Sequence, residues 1–125
     1  MEKKYLKLED ITAYKIASDL SDYVWKIISK WDWFNKRTLG IQYMNAIDSI
    51  AGNVAEGFGR FHKKDKIKFY YNSRASVFES AHWTKKADER NLLTKEENDH
   101  ILQTLERLPR EINNLIKLTN KYLKK

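Results

Sequence analysis

Residues 39–60 constrain the fold of this chain most strongly, because they form an amphipathic pattern with two distinct faces. At about 100° per residue of an α-helix, the apolar side chains fall within a band of about 100°. They are Tyr43, Ile47, Ile50, Ala51, Val54, Phe58 and Phe61. This band predicts a helix that packs one face into a core.

The opposite face of the same stretch is polar but carries no lysine. It contains Gln42, Ser49, Asn53, Glu56 and Arg60, beside the small residues Ala46, Gly52 and Gly57. Small residues allow another backbone to approach closely, and Gly52 costs about 1 kcal/mol of helix propensity relative to Ala. We expect this face to contact protein. An ordinary solvent-exposed face is the alternative.

Three further stretches have helical periodicity, so the sequence predicts four helices over about residues 10–31, 39–60, 65–90 and 95–123. Thr38 is predicted to cap the second helix, and Thr94 with Glu97 is predicted to form a capping box at the start of the fourth. Pro109 predicts a kink or local break in the fourth helix. Helices of this length joined by short turns predict an all-α, up-down-up-down antiparallel four-helix bundle, with residues 1–125 as a single domain.

The third helix has two candidate buried stripes on opposite sides. We expect one to face the core of the subunit, and it comprises Ile67, Tyr70, Tyr71, Phe78 and Ala81. The other comprises Phe69, Ser73, Ser76, Ser80, Trp83 and Ala87. A bundle helix needs only one buried stripe, so the second predicts a contact with another subunit. The predicted oligomer interface therefore consists of Gln42, Ser49, Asn53, Glu56, Phe69, Ser73, Ser76, Ser80 and Trp83.

The basic excess of this chain is concentrated on the third helix. The net charge is +7, from 24 Lys and Arg against 17 Asp and Glu. Residues 62–90 carry eight basic and four acidic side chains, whereas residues 1–35 carry six of each. Such an excess attracts polyanions, although it also keeps proteins soluble. The candidate nucleic-acid-binding residues are Arg60, Lys63, Lys64, Lys66, Lys68, Arg74, Lys85 and Lys86.

Aromatic residues lie among these charges, but their periodicity predicts that Phe61, Tyr70 and Tyr71 point mostly inward. We therefore expect contact with the nucleic-acid backbone, with little sequence specificity. Trp33 and Phe34, which lie between the first two helices, are expected to close one end of the bundle.

No catalytic pattern is convincing. Glu79 with His82 and Glu97 with His100 are both Glu-x-x-His, as in di-iron bundles, but the two pairs are offset by about 10 Å along antiparallel helices. Glu56 and Arg60 are interpreted as a polar cluster and not as an acid–base pair. We expect no enzyme activity, no metal and no cofactor. The absence of cysteine and of an apolar leader or membrane span predicts a cytoplasmic protein without membrane contact.

The motif along the second helix resembles the signature of the 23S rRNA-intervening-sequence proteins of bacteria. It reads Gln42, Ala46, Ser49-Ile50, Asn53-Val54-Ala55-Glu56-Gly57 and Gly59-Arg60, and it continues in Phe69-Tyr70, Ser73-Arg74-Ala75-Ser76 and Glu79. Met44-Asn45 stands where the family frequently has two Arg, and Ala75 stands where it has Gly.

The resemblance implies a four-helix bundle and a non-catalytic binding role, often as a ring-shaped homo-oligomer, with a pentamer as the implied assembly. It also implies RNA or DNA as partners. The alternative is an adaptor that docks onto a protein partner, since some relatives of this fold are accessory subunits of reverse transcriptases in diversity-generating retroelements.

Overall fold

The chain folds into four long helices, as a computed structural model of residues 6–123 shows. The helices are α1 (Thr12–Ile28), α2 (Ile41–Gly59), α3 (Lys63–Glu89) and α4 (Lys95–Tyr122). Residues 1–5, part of the charged N-terminal segment, lie outside the described residues. A short 3-10 turn, Leu8–Asp10, precedes α1. The described part of the chain contains no strand, which confirms the all-α prediction.

Each helix packs against its neighbours around the bundle, and α4 closes back onto α1. The connections are short, so successive helices are antiparallel, as in an up-down-up-down bundle. The core is continuous and includes side chains from all four helices, with Leu20, Ile47, Tyr70 and Ile112 each fully or almost fully buried. None of the helices between residues 6 and 123 is long and apolar enough to cross a membrane.

The segment that leads into α2 starts at Asp32, and the prediction that Thr38 caps this helix is wrong. The Asp32 carboxylate accepts hydrogen bonds from Asn35 N at 3.0 Å and from Asn35 Nδ2 at 2.7 Å. The backbone donor of Asn35 lowers the pKa of Asp32 more than any other contact. One turn, Trp33–Asn35, is followed by a π-helical turn, Lys36–Gly40, where Thr38 instead donates to Phe34 O. Helical backbone therefore begins before the predicted boundary.

The predicted capping box at α4 is confirmed, whereas the predicted break at Pro109 is not found. Thr94 Oγ1 accepts from Glu97 N at 3.1 Å, and the Glu97 carboxylate accepts from Thr94 N at 2.9 Å. α4 continues through Pro109 to Tyr122. Packing of the helix on both sides of the proline offsets the one missing backbone hydrogen bond.

The buried side of α3 is opposite to the side that the sequence predicted to face the core. The inward side chains follow a spacing of three and four residues and are mostly small, namely Tyr70, Ser73, Val77, Ser80, Thr84 and Ala87. Of the stripe that was expected to face the core, only Tyr70 is fully buried, and Tyr71 and Phe78 are exposed. Small side chains turn inward where α2 and α3 pack closely, and the ring of Tyr70 is accommodated opposite Gly57.

Three contacts fix this close packing and the relative height of the two helices. Ser73 Oγ donates to Ile50 O at 2.7 Å, and Tyr43 Oη lies 2.6 Å from Thr84 Oγ1. Thr84 donates its proton to Ser80 O, so Tyr43 is the donor to Thr84. At the other end Gly57 lies against the Tyr70 ring. A residue on α2 and a residue on α3 therefore lie at the same height along the bundle when their residue numbers add up to about 125.

Candidate nucleic-acid interface

Five of the eight predicted nucleic-acid-binding residues lie on one side of α3, and one of the five, Lys86, is half-buried and paired with Glu89. At about 100° per residue, Lys64, Lys68, Arg74 and Lys85 fall within a band of about 120°. The same band contains the exposed rings of Tyr71 and Phe78. We call these six residues, Lys64, Lys68, Tyr71, Arg74, Phe78 and Lys85, the α3 strip.

The α3 strip contains no carboxylate. Between residues 64 and 85, all of which the structure describes, the acidic side chains are Asp65 and Glu79. Both lie outside the band, on the side of α3 that turns toward α2, where Glu79 accepts a hydrogen bond from Trp83 Nε1 at 3.1 Å. The positive charges of the strip are therefore not neutralised by neighbours within it.

Arg74 places the strip beside α4 and links it to the aromatic side chains. Its Nη1 donates to Asn113 Oδ1 at 2.8 Å, and its guanidinium lies 4.9 Å from the centre of the Tyr71 ring. A guanidinium at this distance makes a cation–π contact. Arg74 is thus held in position while the rest of the strip faces outward.

The prediction that the aromatic residues near these charges point inward is wrong for Phe61 and Tyr71 and confirmed for Tyr70, and Phe78, which was expected to face the core, is also exposed. Phe78 is 64% exposed, Tyr71 is 47% exposed and Phe61 is 86% exposed. Their apolar character suggested burial, but the inward positions of α3 are occupied by the small stripe described above. The periodicity of the sequence allows either of two opposite sides of α3 to be buried, and only the packing of α2 against α3 selects one of them.

Lys66 is a structural residue and does not belong to this surface. Its Nζ donates to Phe58 O at 2.7 Å, at the end of α2 where backbone carbonyls lack helical partners. Burial lowers its pKa, since desolvation disfavours the charged form. The structure therefore places Lys66 apart from the α3 strip, and its contact with nucleic acid stays a prediction.

The three remaining predicted residues are not counted in the α3 strip. Lys86 is five full turns after Lys68 and has the same angular position, but it is half-buried and pairs with Glu89 at 3.5 Å. Arg60 pairs with Glu56 at 3.5 Å, and its guanidinium lies 4.6 Å from the centre of the Phe69 ring. Lys63 is half-buried at the first position of α3. Arg60 and Lys63 lie apart from the strip, whereas Lys86 lies within its band but is paired with Glu89.

Seven of the nine predicted interface residues lie together along the outer edge between α2 and α3. Gln42 is level with Trp83, Ser49 with Ser76, and Glu56 with Phe69. The Arg60 contact to Phe69 shows that this side of α2 turns toward α3. We call Gln42, Ser49, Asn53, Glu56, Phe69, Ser76 and Trp83 the α2–α3 seam surface; all seven are exposed or half-buried.

Ser73 and Ser80 are corrections to the predicted interface, because both are fully buried within the subunit. Ser73 bonds to the backbone of α2, as described above, and Ser80 lies one heptad further along the same inward stripe. Neither side chain is at a surface that a second subunit could reach.

Several polar groups of the α2–α3 seam surface already have partners in their own helix. Ser49 Oγ donates to Asn45 O at 2.6 Å, and Asn53 Nδ2 donates to Ser49 O at 2.8 Å. Of the small residues beside the stripe, Ala46 and Gly57 are buried within the subunit, whereas a Cβ on Gly52 would meet nothing within 4 Å. Gly52 alone leaves open space for an approaching backbone.

A second group of exposed aromatic residues lies at the far end of the bundle, where α1 connects to α2 and α3 connects to α4. The expectation that Trp33 and Phe34 would close this end is wrong. Trp33 is 70% exposed and Phe34 is 65% exposed, and Arg37 lies over the Trp33 ring at 4.7 Å. Trp31 closes this end instead, because its Nε1 donates to Leu92 O at 3.1 Å in the α3–α4 connection.

The acidic and histidine side chains of the described residues do not converge. Residues 6–123 contain no group of three His, Asp or Glu that could hold a metal ion. His62 and His82 stand beside aromatic neighbours on the surface of α3 or at its start, and His100 stacks against Tyr23 on α1 with 4.3 Å between ring centres. Glu56 and Arg60 form an exposed pair on one helix.

The family of the chain follows from comparison with known proteins. No curated protein matches this sequence. The family model for the 23S rRNA-intervening sequence protein matches residues 9–114, which span all of α1, α2 and α3 and most of α4. The resemblance seen in the sequence is thereby confirmed. This four-helix protein belongs to the 23S rRNA-intervening sequence protein family.

Proposed function

We propose that this protein is a non-enzymatic nucleic-acid-binding module that self-associates through its α2–α3 seam surface and binds RNA or DNA through its α3 strip. The observation that carries the proposal is the separation of these two surfaces. Phe69, Ser76 and Trp83 lie about 140° around α3 from the middle of the strip. Subunits joined at the seam would leave their strips exposed.

Charge supports nucleic acid as the partner of the strip. Lys64, Lys68 and Lys85 are on the outer surface of α3, and no carboxylate stands among them. Phosphate contacts need only such charges. In a closed ring each subunit would present one strip, and several weak contacts to one polyanion would raise the overall affinity by orders of magnitude.

The salt dependence of binding tests the proposed nucleic-acid contact. Fluorescence anisotropy with a labelled single-stranded RNA should give a log Kd that rises linearly with log salt concentration. Lys68→Gln should weaken binding and reduce the magnitude of the slope by about 0.7, the value for one lost phosphate contact on a single strand. Lys15→Gln on the exposed surface of α1 is the matched control and should change neither quantity.

Binding that does not depend on salt, or an equal effect of Lys15→Gln and Lys68→Gln, would contradict a role for the α3 strip. Lys66→Met is a useful second comparison, since it should lower the stability of the bundle and leave the salt slope unchanged.

Light scattering tests the proposed self-association. Ser76 and Ala75 are neighbours in sequence, but Ser76 is on the seam surface and Ala75 is about 100° away, toward the α3 strip. Ser76→Lys should yield a smaller particle with unchanged helical circular dichroism, whereas Ala75→Lys should keep the mass of the wild type. A monomeric wild-type protein, or equal masses for both variants, would refute the interface.

A protein-interaction adaptor is the second candidate function, and the exposed aromatic residues at the far end favour it. Trp33 and Phe34 are neighbours in sequence and both exposed, which would suit an apolar protein partner. Under this alternative, Trp33→Ala abolishes a salt-resistant complex with one protein, and Lys68→Gln leaves that complex intact.

A further inference from the structure

We propose that Tyr71 and Phe78 are base-stacking residues, so that the α3 strip binds single-stranded nucleic acid in preference to a duplex. The inference rests on the proposed nucleic-acid-binding function and adds a substrate class to it. Both rings are outward on a band of α3 whose charges between residues 64 and 85 are all positive. Exposed aromatic side chains between phosphate-binding cations are the arrangement that single-strand-binding proteins use.

The outward orientation of the two rings is built into the fold. α3 packs its small residues against α2, which leaves Tyr71 and Phe78 no inward position. Phe78 is the more exposed of the two and has no polar group, so contact with water gives it no hydrogen bond. Stacking of a base on this ring would remove apolar surface from water, whatever the identity of the base.

Arg74 prepares Tyr71 for the same role. Its guanidinium covers one region of the Tyr71 ring at 4.9 Å, while its hydrogen bond to Asn113 fixes its position. Tyr71 is 47% exposed, so part of this residue remains accessible to a base. A base stacked there would contact a ring that is already positioned by a cation.

The spacing of the rings favours unpaired bases over paired ones. Tyr71 and Phe78 are seven residues apart, which is about 10 Å along a helix at 1.5 Å per residue. The bases of a duplex are stacked about 3.4 Å apart and hide their faces from a protein surface. A flexible single strand can turn individual bases onto each ring and place the intervening phosphates near Lys68 and Arg74.

A second copy of this chain is a poorer fit to this surface than a polyanion. The proposed subunit contact is on the side of α3 that turns toward α2, about 140° from the middle of the strip. A second strip would also bring like charges together, since every charged residue of the strip is Lys or Arg. The charge of the strip therefore selects an anionic partner.

Anisotropy measurements with two labelled probes test the inference, namely an oligouridine and an RNA duplex of the same length. The wild-type protein should bind the single strand about tenfold or more tightly than the duplex. Phe78→Ala should weaken single-strand binding about 5- to 150-fold, the range for one lost base stack, and leave duplex binding within about twofold. Phe78→Trp should retain the single-strand preference, because a larger ring also stacks.

Phe34→Ala is the matched control. Phe34 is 65% exposed, nearly the same as Phe78 at 64%, but it is not on the strip. Its removal should leave both affinities unchanged. The salt slope of Phe78→Ala should match that of the wild type, since no charge is lost.

Three results would overturn the inference. If the single strand and the duplex bind equally and Phe78→Ala has no effect while Lys68→Gln weakens binding, stacking is refuted but the proposed nucleic-acid function stands. If the wild type binds neither probe, both proposals fail. If Phe78→Ala changes the mass measured by light scattering, Phe78 is a subunit contact and not a stacking residue.

Discussion

Gly57→Ala should destabilise the protein, because Gly57 allows α2 and α3 to approach. A Cβ at this position would lie 2.7 Å from Cε1 of Tyr70 and 2.9 Å from the backbone oxygen of Lys66. The tyrosine ring is fully packed and the carbonyl belongs to α3 itself. Neither atom can move without shifting one helix relative to the other.

Two opposing effects set the size of the change. Overpacking a well-packed core costs about 1–3 kcal/mol. Replacing Gly by Ala inside a helix contributes about 0.5–1 kcal/mol in the favourable direction. We expect a net loss of about 1–2 kcal/mol in the free energy of unfolding. For a domain of this size that corresponds to a decrease in Tm of about 3–10 °C.

Gly52→Ala is the control, since it makes the same chemical change in the same helix. A Cβ on Gly52 would meet nothing within 4 Å, so only the gain of about 0.5–1 kcal/mol remains. The two variants should therefore differ in the sign of their effect on stability.

Urea and thermal unfolding followed by far-ultraviolet circular dichroism measure both variants. All samples are compared at one protein concentration, because association makes apparent stability depend on concentration. If Gly57→Ala is as stable as Gly52→Ala, the close contact between α2 and α3 that orients the α3 strip is wrong.

Two further predictions concern Tyr70 and Thr94. Burial raises the pKa of Tyr70 from 10.0 to about 12, so its contribution to stability is complete below pH 10 and is lost as the pH rises through 12. Tyr70→Phe should reduce this alkaline loss by about 2–3 kcal/mol without abolishing it, because burial also raises the pKa of Tyr43. Urea unfolding at several alkaline pH values measures the loss, and an unchanged pH dependence would contradict the burial of Tyr70. Thr94→Ala should cost about 1 kcal/mol by removing the cap of α4, whereas Thr104→Ala, within the same helix, should cost less. Equal costs in thermal unfolding would show that the cap contributes nothing.

The sequence alone determined the number and type of the helices, the capping box at Thr94 and the family. Each depends on local chemistry or on a motif within one or two helices. Apolar residues repeat at helical spacing in all four segments, and Thr94 lies three residues before Glu97. The sequence also identified the basic residues of α3 that form the strip.

Only the tertiary structure decided which side of α3 is buried. Both of its stripes satisfy helical periodicity, so the choice depends on the depth of the groove in α2. Ala46 and Gly57 let α3 approach α2 closely, so that Tyr70 packs against Gly57 and Ser73, Ser80 and Thr84 are buried along the same side. The same choice turns Tyr71 and Phe78 outward among the lysines, and it places Lys66 at the carbonyls that end α2. Which side of α3 is buried depends on the contact between α2 and α3, so the periodicity of either helix alone does not reveal it.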